Sequence, residues 1–172
     1  INTVIHNAIN DYKFNGEQRK KINEIDWQDF QNQIETSQRG FLNLLNIFTP
    51  NMKKDHFGRF ITIGTNLFQN PVVPYHDYTA AKAGLLSITR TAAIDLGKFN
   101  ITVNMISGGL LKITDASKGT PEEVFEYIKS ITPLRKVTTT DDFSDAVLFF
   151  ASPWSRAVTG QNLIVDGGLV LN

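Results

Sequence analysis

One strand–loop–helix segment constrains the fold of this chain more than any other part of its sequence. Residues 60–63 form an apolar run typical of a short buried strand, and residues 80–96 carry the apolar spacing of a helix. Thr65 directly follows the predicted strand, whereas Tyr78 and Lys82 stand at the start of the predicted helix. Residues four apart in a helix share one face, and open α/β sheets place their chemistry where strands end. The sequence therefore predicts that a hydroxyl, a phenol and an ammonium converge at one edge of a sheet.

These three side chains could transfer a proton. A lysine charge beside a phenol favours the tyrosinate, so Lys82 is expected to lower the pKa of Tyr78 from about 10 toward neutrality. The alternative is that Tyr78 and Lys82 lie on a solvated helix face without a joint task, and for a lone tyrosine–lysine pair that would be the better interpretation. Matches elsewhere in the chain favour the catalytic interpretation.

Composition excludes several classes of protein. The chain has 172 residues, which is enough for one domain with a substantial core. Its 17 basic residues balance its 17 acidic ones, so no basic surface suggests nucleic-acid binding. Because it has no cysteine, it can form neither a disulfide nor a thiolate metal site, which fits a reducing cytoplasm. No apolar run approaches the roughly 18 residues of a membrane span. We expect a single cytoplasmic α/β domain over residues 1–172, with no metal, nucleic-acid or membrane partner.

The spacing of Thr65, Tyr78 and Lys82 resembles the catalytic core of the short-chain dehydrogenases/reductases. The segment His-Asn-Ala-Ile at 6–9 resembles the Asn-Asn-Ala-Gly that follows the fourth strand in that family, and the ending at 159–169 resembles its last strand and Asp-Gly-Gly terminus. The resemblance covers nearly the whole chain and implies a Rossmann-like, doubly wound parallel sheet. The N-terminal strands and the glycine-rich turn of the family have no match, so the domain is expected to be N-terminally incomplete by roughly 80–90 residues.

The resemblance implies a role for each matched residue. Tyr78 would donate the proton as general acid, Lys82 would lower its pKa and hold the cofactor ribose, and Thr65 would hydrogen-bond the substrate oxygen. Ser37 takes the register position of an asparagine that helps to hold a proton-relay water. Further cofactor contacts would come from residues that follow two strands, namely Asn7, Ala8, Gly109 and Leu111.

The implied reaction is hydride transfer from NADPH or NADH to a carbonyl. The joint spacing of Thr65 and Tyr78 favours a 3-oxoacyl-[acyl-carrier-protein] reductase of fatty acid synthesis, with a small-molecule or carrier-protein-linked substrate. Tyr75, seven residues before Lys82, has the spacing of the related enoyl-[acyl-carrier-protein] reductases, so that alternative stays open. A catalytically inactive binding protein of the same shape is a third hypothesis, motivated by departures from the family pattern at three positions: Ile9, Ser37 and Gly108.

Two long helices are predicted at 26–49, ended by Pro50, and at 77–97. Their apolar stripes look wider than one sheet face needs, and members of the family associate through these helices, so we expect a homodimer or homotetramer. A later helix is predicted to begin with Thr120 as its N-cap, ahead of Pro121.

Overall fold

Four parallel strands form the sheet of the computed structural model, which describes residues 1–10 and 15–171. The strands are β1 (Thr3–His6), β2 (Gly58–Thr65), β3 (Ile101–Gly108) and β4 (Asn162–Val165). The helices are α1 (Trp27–Ile34), α2 (Gly40–Asp55), α3 (His76–Leu96), α4 (Glu122–Ile131) and α5 (Thr140–Ala151). Strand order follows chain order, and every adjacent pair is parallel. The predicted Rossmann-like α/β architecture is confirmed.

Helices cover the sheet on both faces, which gives two apolar layers. On one face, Phe60 and Val103 of the sheet pack with Phe41 of α2 and Leu85 of α3. On the other face, a smaller cluster joins the sheet to α5 through Ile61, Ile106, Phe143 and Phe150. Every residue of β3 is buried, as expected of a central parallel strand covered on both sides. The strands therefore present only their ends to ligands, and their C-terminal ends share one edge.

The prediction that Pro50 ends the first long helix is wrong, because α2 continues to Asp55 with Pro50 inside it. Met52 is fully buried, and a Cβ added to Gly58 would lie 2.5 Å from its sulfur, so the last turn packs closely on β2. Burying a methionine side chain stabilises by about 1.5–3 kcal/mol, which offsets the cost of about 3 kcal/mol of an internal proline. The helix ends at His56, which adopts a left-handed φ of 49°.

The N-cap of α4 is Pro121 and not Thr120, because the helix begins one residue later than the pattern predicts. Part of the polar loop predicted at 11–24 lies outside the described residues, and the rest contains a 3-10 turn at Gly16–Gln18. Each helix within the described ranges is too short or too polar to cross a bilayer.

A π-helical turn, Glu35–Arg39, joins α1 to α2 without interrupting the helical path. Such turns insert one extra residue into a helix and are frequent at functional sites. Ser37, at its centre, is buried. The turn contacts α3, so it lies behind the segment that carries Tyr78 and Lys82.

Candidate active site

Thr65 and Tyr78 meet at the C-terminal edge of the sheet. Thr65 is the last residue of β2, and its hydroxyl accepts a hydrogen bond from the Leu67 amide at 3.3 Å as the chain turns into a 3-10 helix. A second hydrogen bond joins this hydroxyl to the phenol of Tyr78, in the first turn of α3. The backbone thus fixes the threonine oxygen, and the threonine orients the phenol.

Lys82 lies one helical turn beyond Tyr78 and is buried, with 4% of its surface exposed. Its Nζ donates a hydrogen bond to the Ile63 carbonyl at 2.7 Å and lies 5.8 Å from the centroid of the Tyr78 ring. Burial lowers the pKa of Lys82 to about 8, because the ammonium has left water without gaining a carboxylate partner. The structure therefore brings the hydroxyl, the phenol and the ammonium into one small volume.

The expectation that Lys82 lowers the pKa of Tyr78 is wrong for this structure. Burial raises the pKa of the phenol, and the hydrogen bond from Thr65 opposes that change only in part. The physical reason is desolvation, because burial disfavours the charged phenolate, while the Lys82 ammonium donates its hydrogen bond to the Ile63 carbonyl. Tyr78 is consequently protonated at neutral pH, the form that a proton donor requires.

Tyr75, the other tyrosine of the segment, faces different surroundings. It is the N-cap residue of α3, is buried, and lines a cavity of about 220 Å³. The opposite wall comes from the loop and helix near α1, including Asn15, Arg19 and Asp29. Neither Thr65 nor Lys82 lines this cavity.

Ser37 is near the site, but its hydroxyl is used within its own helix. Oγ donates to the Gln33 carbonyl at 2.6 Å, and the Ser37 carbonyl lies 2.8 Å from Nε2 of His6. The relay role of Ser37 stays a prediction. His6 has no predicted role in the sequence, where the one available signal is a histidine that ends an apolar strand.

The predicted cofactor residues lie along the same edge of the sheet. Asn7 and Ala8 follow β1 and are exposed, whereas Leu111, beyond β3, packs against the α5 layer. A Cβ added to Gly109 would lie 3.0 Å from the side-chain Nδ2 of Asn66. Because glycine has no side chain, this loop can lie close to the end of β2. An edge with an exposed asparagine and a close-packed glycine loop fits a nicotinamide nucleotide laid across the strand ends.

Asn66 and Asp166 form a buried pair at this edge that sequence reasoning did not find. The Asn66 amide donates to the Asp166 carboxylate at 2.9 Å, which ties the loop after β2 to the loop after β4. The same carboxylate accepts backbone hydrogen bonds from Gly168 and Val170. No set of three or more histidine, aspartate or glutamate side chains among the described residues could hold a metal ion.

Known proteins resemble this chain in sequence and in structure. A family model described as enoyl-(acyl carrier protein) reductase matches residues 1–170. The 7α-hydroxysteroid dehydrogenase of Escherichia coli is 34% identical over 142 residues, which are 81% of this chain and 55% of that protein. The 3-oxoacyl-[acyl-carrier-protein] reductase of Staphylococcus epidermidis is 27% identical over 151 residues, which are 88% of this chain and 60% of that protein.

The crystal structure of a 3-oxoacyl-[acyl-carrier protein] reductase from Brucella melitensis, with bound NAD, has a TM-score of 0.85 and 26% identity, over 99% of this chain and 63% of that one. The chain thus spans little more than half the length of the curated relatives that it matches. The parallel sheet, the threonine–tyrosine–lysine site at its edge and the match along almost every residue lead to one conclusion: the chain belongs to the short-chain dehydrogenase/reductase family.

Proposed function

We propose that the protein is an NAD(P)H-dependent reductase of a 3-oxoacyl thioester, free or bound to an acyl carrier protein. The observation that carries this proposal is the hydrogen bond between Thr65 and Tyr78, made one helical turn from the buried Lys82. A hydroxyl and a protonated phenol side by side can bind one carbonyl oxygen and deliver a proton to it.

The residues of this chain supply the proton and the electrostatic stabilisation. A bound nicotinamide cofactor supplies the hydride, and Lys82, Asn7, Ala8, Gly109 and Leu111 are the residues that would hold it. As the carbonyl carbon is reduced, the oxygen becomes an alkoxide and takes the phenol proton of Tyr78. The phenolate left behind is stabilised by the Thr65 hydroxyl, whose own proton is available because its oxygen accepts from the Leu67 amide.

The choice of a ketone over an enoyl substrate rests on the two tyrosines. Tyr78 shares the edge with Thr65, whereas Tyr75 lines the cavity toward α1. The names of the relatives from S. epidermidis and B. melitensis support the 3-oxoacyl thioester. The enoyl reductase is the second candidate, since the matching family model carries that description. NAD is the cofactor in the Brucella structure, and the proposal extends to NADP.

Paired tyrosine variants test this assignment. Tyr78→Phe should lower acetoacetyl-thioester reduction by about 10²–10⁴-fold, because it removes the proton donor, while Tyr75→Phe should have little effect. An enoyl reductase would show the opposite order with a crotonyl thioester. Cofactor oxidation is measured with both thioesters, and Lys82→Ala should abolish turnover under either assignment. Equal ketone reduction by wild type and Tyr78→Phe would refute the proposal, and cofactor binding without turnover of either thioester would favour an inactive binding protein.

We also propose that two copies associate through α2 and α3, in a dimer or tetramer. Leu42 and Ile47 of α2 and Ile94 of α3 are exposed. Between these helices runs a groove of about 460 Å³, whose lining combines apolar residues such as Leu45 and Leu96 with polar ones such as Asn46 and Lys53. Light scattering should show a dimer or larger assembly that Ile94→Lys weakens and Ile113→Lys, an equally exposed site elsewhere, does not. A monomer at micromolar concentration would contradict this. The cysteine-free composition fits the proposed cytoplasmic location.

A further inference from the structure

His6 is a buried histidine with a defined hydrogen-bond partner. It ends β1, is 3% exposed, and its Nε2 lies 2.8 Å from the carbonyl oxygen of Ser37. Because a carbonyl oxygen can only accept, Nε2 carries the proton in this contact. The ring also stacks on Phe41 of α2, with centroids 5.7 Å apart and an interplanar angle of 25°. The hydrogen bond at Nε2 and the stacking on Phe41 therefore fix the position of the imidazole.

The π-helical turn is built to receive this ring. A Cβ added to Gly40, the residue that follows the turn, would lie 3.1 Å from Cε1 of His6. The glycine thus lets the imidazole lie directly against the helix backbone. The extra residue of the turn also places the Ser37 carbonyl where the Nε2–H of His6 can donate a hydrogen bond to it. The strand end and the turn are fitted to each other at this point.

The same turn is bonded to α3 beside Lys82. The side-chain amide of Gln38 donates to the carbonyl of Ala81 at 3.2 Å, and Ala81 directly precedes Lys82. Gly84 makes room for this side chain, since an added Cβ would lie 2.3 Å from the Gln38 amide nitrogen. A continuous bridge therefore runs from β1 through His6, the turn and Gln38 to the backbone of α3 at the lysine.

We infer that His6 is a positioning residue for Lys82, because its ring N–H holds the π-helical turn against the sheet and the turn holds α3 closed around the ammonium. This inference rests on the proposed function in one respect, namely that Lys82 takes part in catalysis. Loss of the ring N–H would leave the buried Ser37 carbonyl with a weaker set of partners, and the turn would move away from β1. Water would then reach the lysine through the gap.

The charges around Lys82 are consistent with a neutral His6. Burial lowers the pKa of His6, and the nearby positive charge of Lys82 lowers it further. Among the residues that the structure describes, the titratable groups that interact with Lys82 are His6 from β1 and Tyr78 from its own helix, and neither carries a negative charge at neutral pH. The pKa of Lys82 accordingly reports how well water is excluded.

Direct titration of Lys82 tests the inference without any substrate. The probe is the side-chain carbon signal of the lysine in isotope-labelled protein, assigned by its disappearance in Lys82→Met. In wild type we expect a pKa of about 8. His6→Phe keeps an aromatic ring on Phe41 but removes the N–H, and should raise this pKa by about one unit as water enters. His6→Gln, whose amide can place an N–H at a similar distance, should restore the wild-type value.

Thr89→Val is the matched control, because it removes another buried hydrogen bond between β2 and α3, that of Thr89 with Thr62, two turns beyond the lysine. It should leave the titration of Lys82 unchanged. If His6→Phe does not fold, Gln38→Ala cuts the other end of the bridge at a half-buried site and should raise the pKa in the same direction. An unchanged pKa in the folded variant, or an equal change in Thr89→Val, would overturn the inference. Absence of reductase activity would refute the proposed function alone.

Discussion

Replacing Lys82 by methionine should make the protein more stable while abolishing its reductase activity. The lysine is buried, and its pKa is lowered from 10.5 to about 8. At about 1.4 kcal/mol per unit of pKa, the charged side chain costs the folded state about 3 kcal/mol at neutral pH. Methionine has a similar unbranched shape and no charge. It would leave the Ile63 carbonyl without its partner, a loss of about 1–3 kcal/mol.

The expected net effect is a gain of about 0–2 kcal/mol in the free energy of unfolding at neutral pH. Its pH dependence is the sharper signature. Between about 8 and 10.5 the folded lysine has lost its proton while the unfolded one keeps it, so the stability of wild type rises with pH across this interval. The advantage of Lys82→Met should therefore shrink and disappear by about pH 10.

Urea unfolding at neutral pH and at about pH 10 measures this difference, with Lys54→Met as the control at an exposed lysine of α2. The control should change stability by less than about 0.5 kcal/mol at both values. Lower stability of Lys82→Met at neutral pH, or a gain in stability that does not depend on pH, would refute the idea that the buried ammonium destabilises the folded protein.

Two further substitutions test the packing and the polar contacts around the sheet. Gly58→Ala should destabilise the protein by about 1–3 kcal/mol, because the added Cβ would lie 2.5 Å from the Met52 sulfur. The control is Gly97→Ala, whose Cβ would have no atom within 4 Å and which should be neutral or slightly stabilising. Thermal unfolding measures both. Asn66→Ala should cost about 1–3 kcal/mol in urea unfolding, because it removes a donor from the buried Asp166 carboxylate; stability equal to wild type would show that this pair does not hold the two loops together.

The sequence by itself was sufficient for the architecture and for the central three residues of the site. Apolar runs and helical spacing are local properties, so they predict strands and helices without knowledge of distant contacts. That the strands are parallel was implied by the resemblance to the family. Thr65 comes directly after a strand, and Tyr78 and Lys82 are separated by one helical turn. Because strand ends share an edge and residues four apart share a face, the meeting of these side chains follows from their spacing.

Only the tertiary structure decided what each group experiences. Spacing places an ammonium near a phenol, but the pKa of each group depends on desolvation, and burial reversed the expected direction for Tyr78. The length of α2 beyond Pro50 depends on the burial of Met52 and not on local preference.

The contacts that tie the site together are remote in sequence. His6 meets Ser37 across 31 positions, and Asn66 meets Asp166 across 100. No periodicity or motif relates residues at such separations, because their pairing depends on how the strands and helices pack. Short segments of the chain thus determine which functional groups lie at the edge of the sheet. The burial and hydrogen bonds that set the pKa values of these groups arise only in the folded molecule.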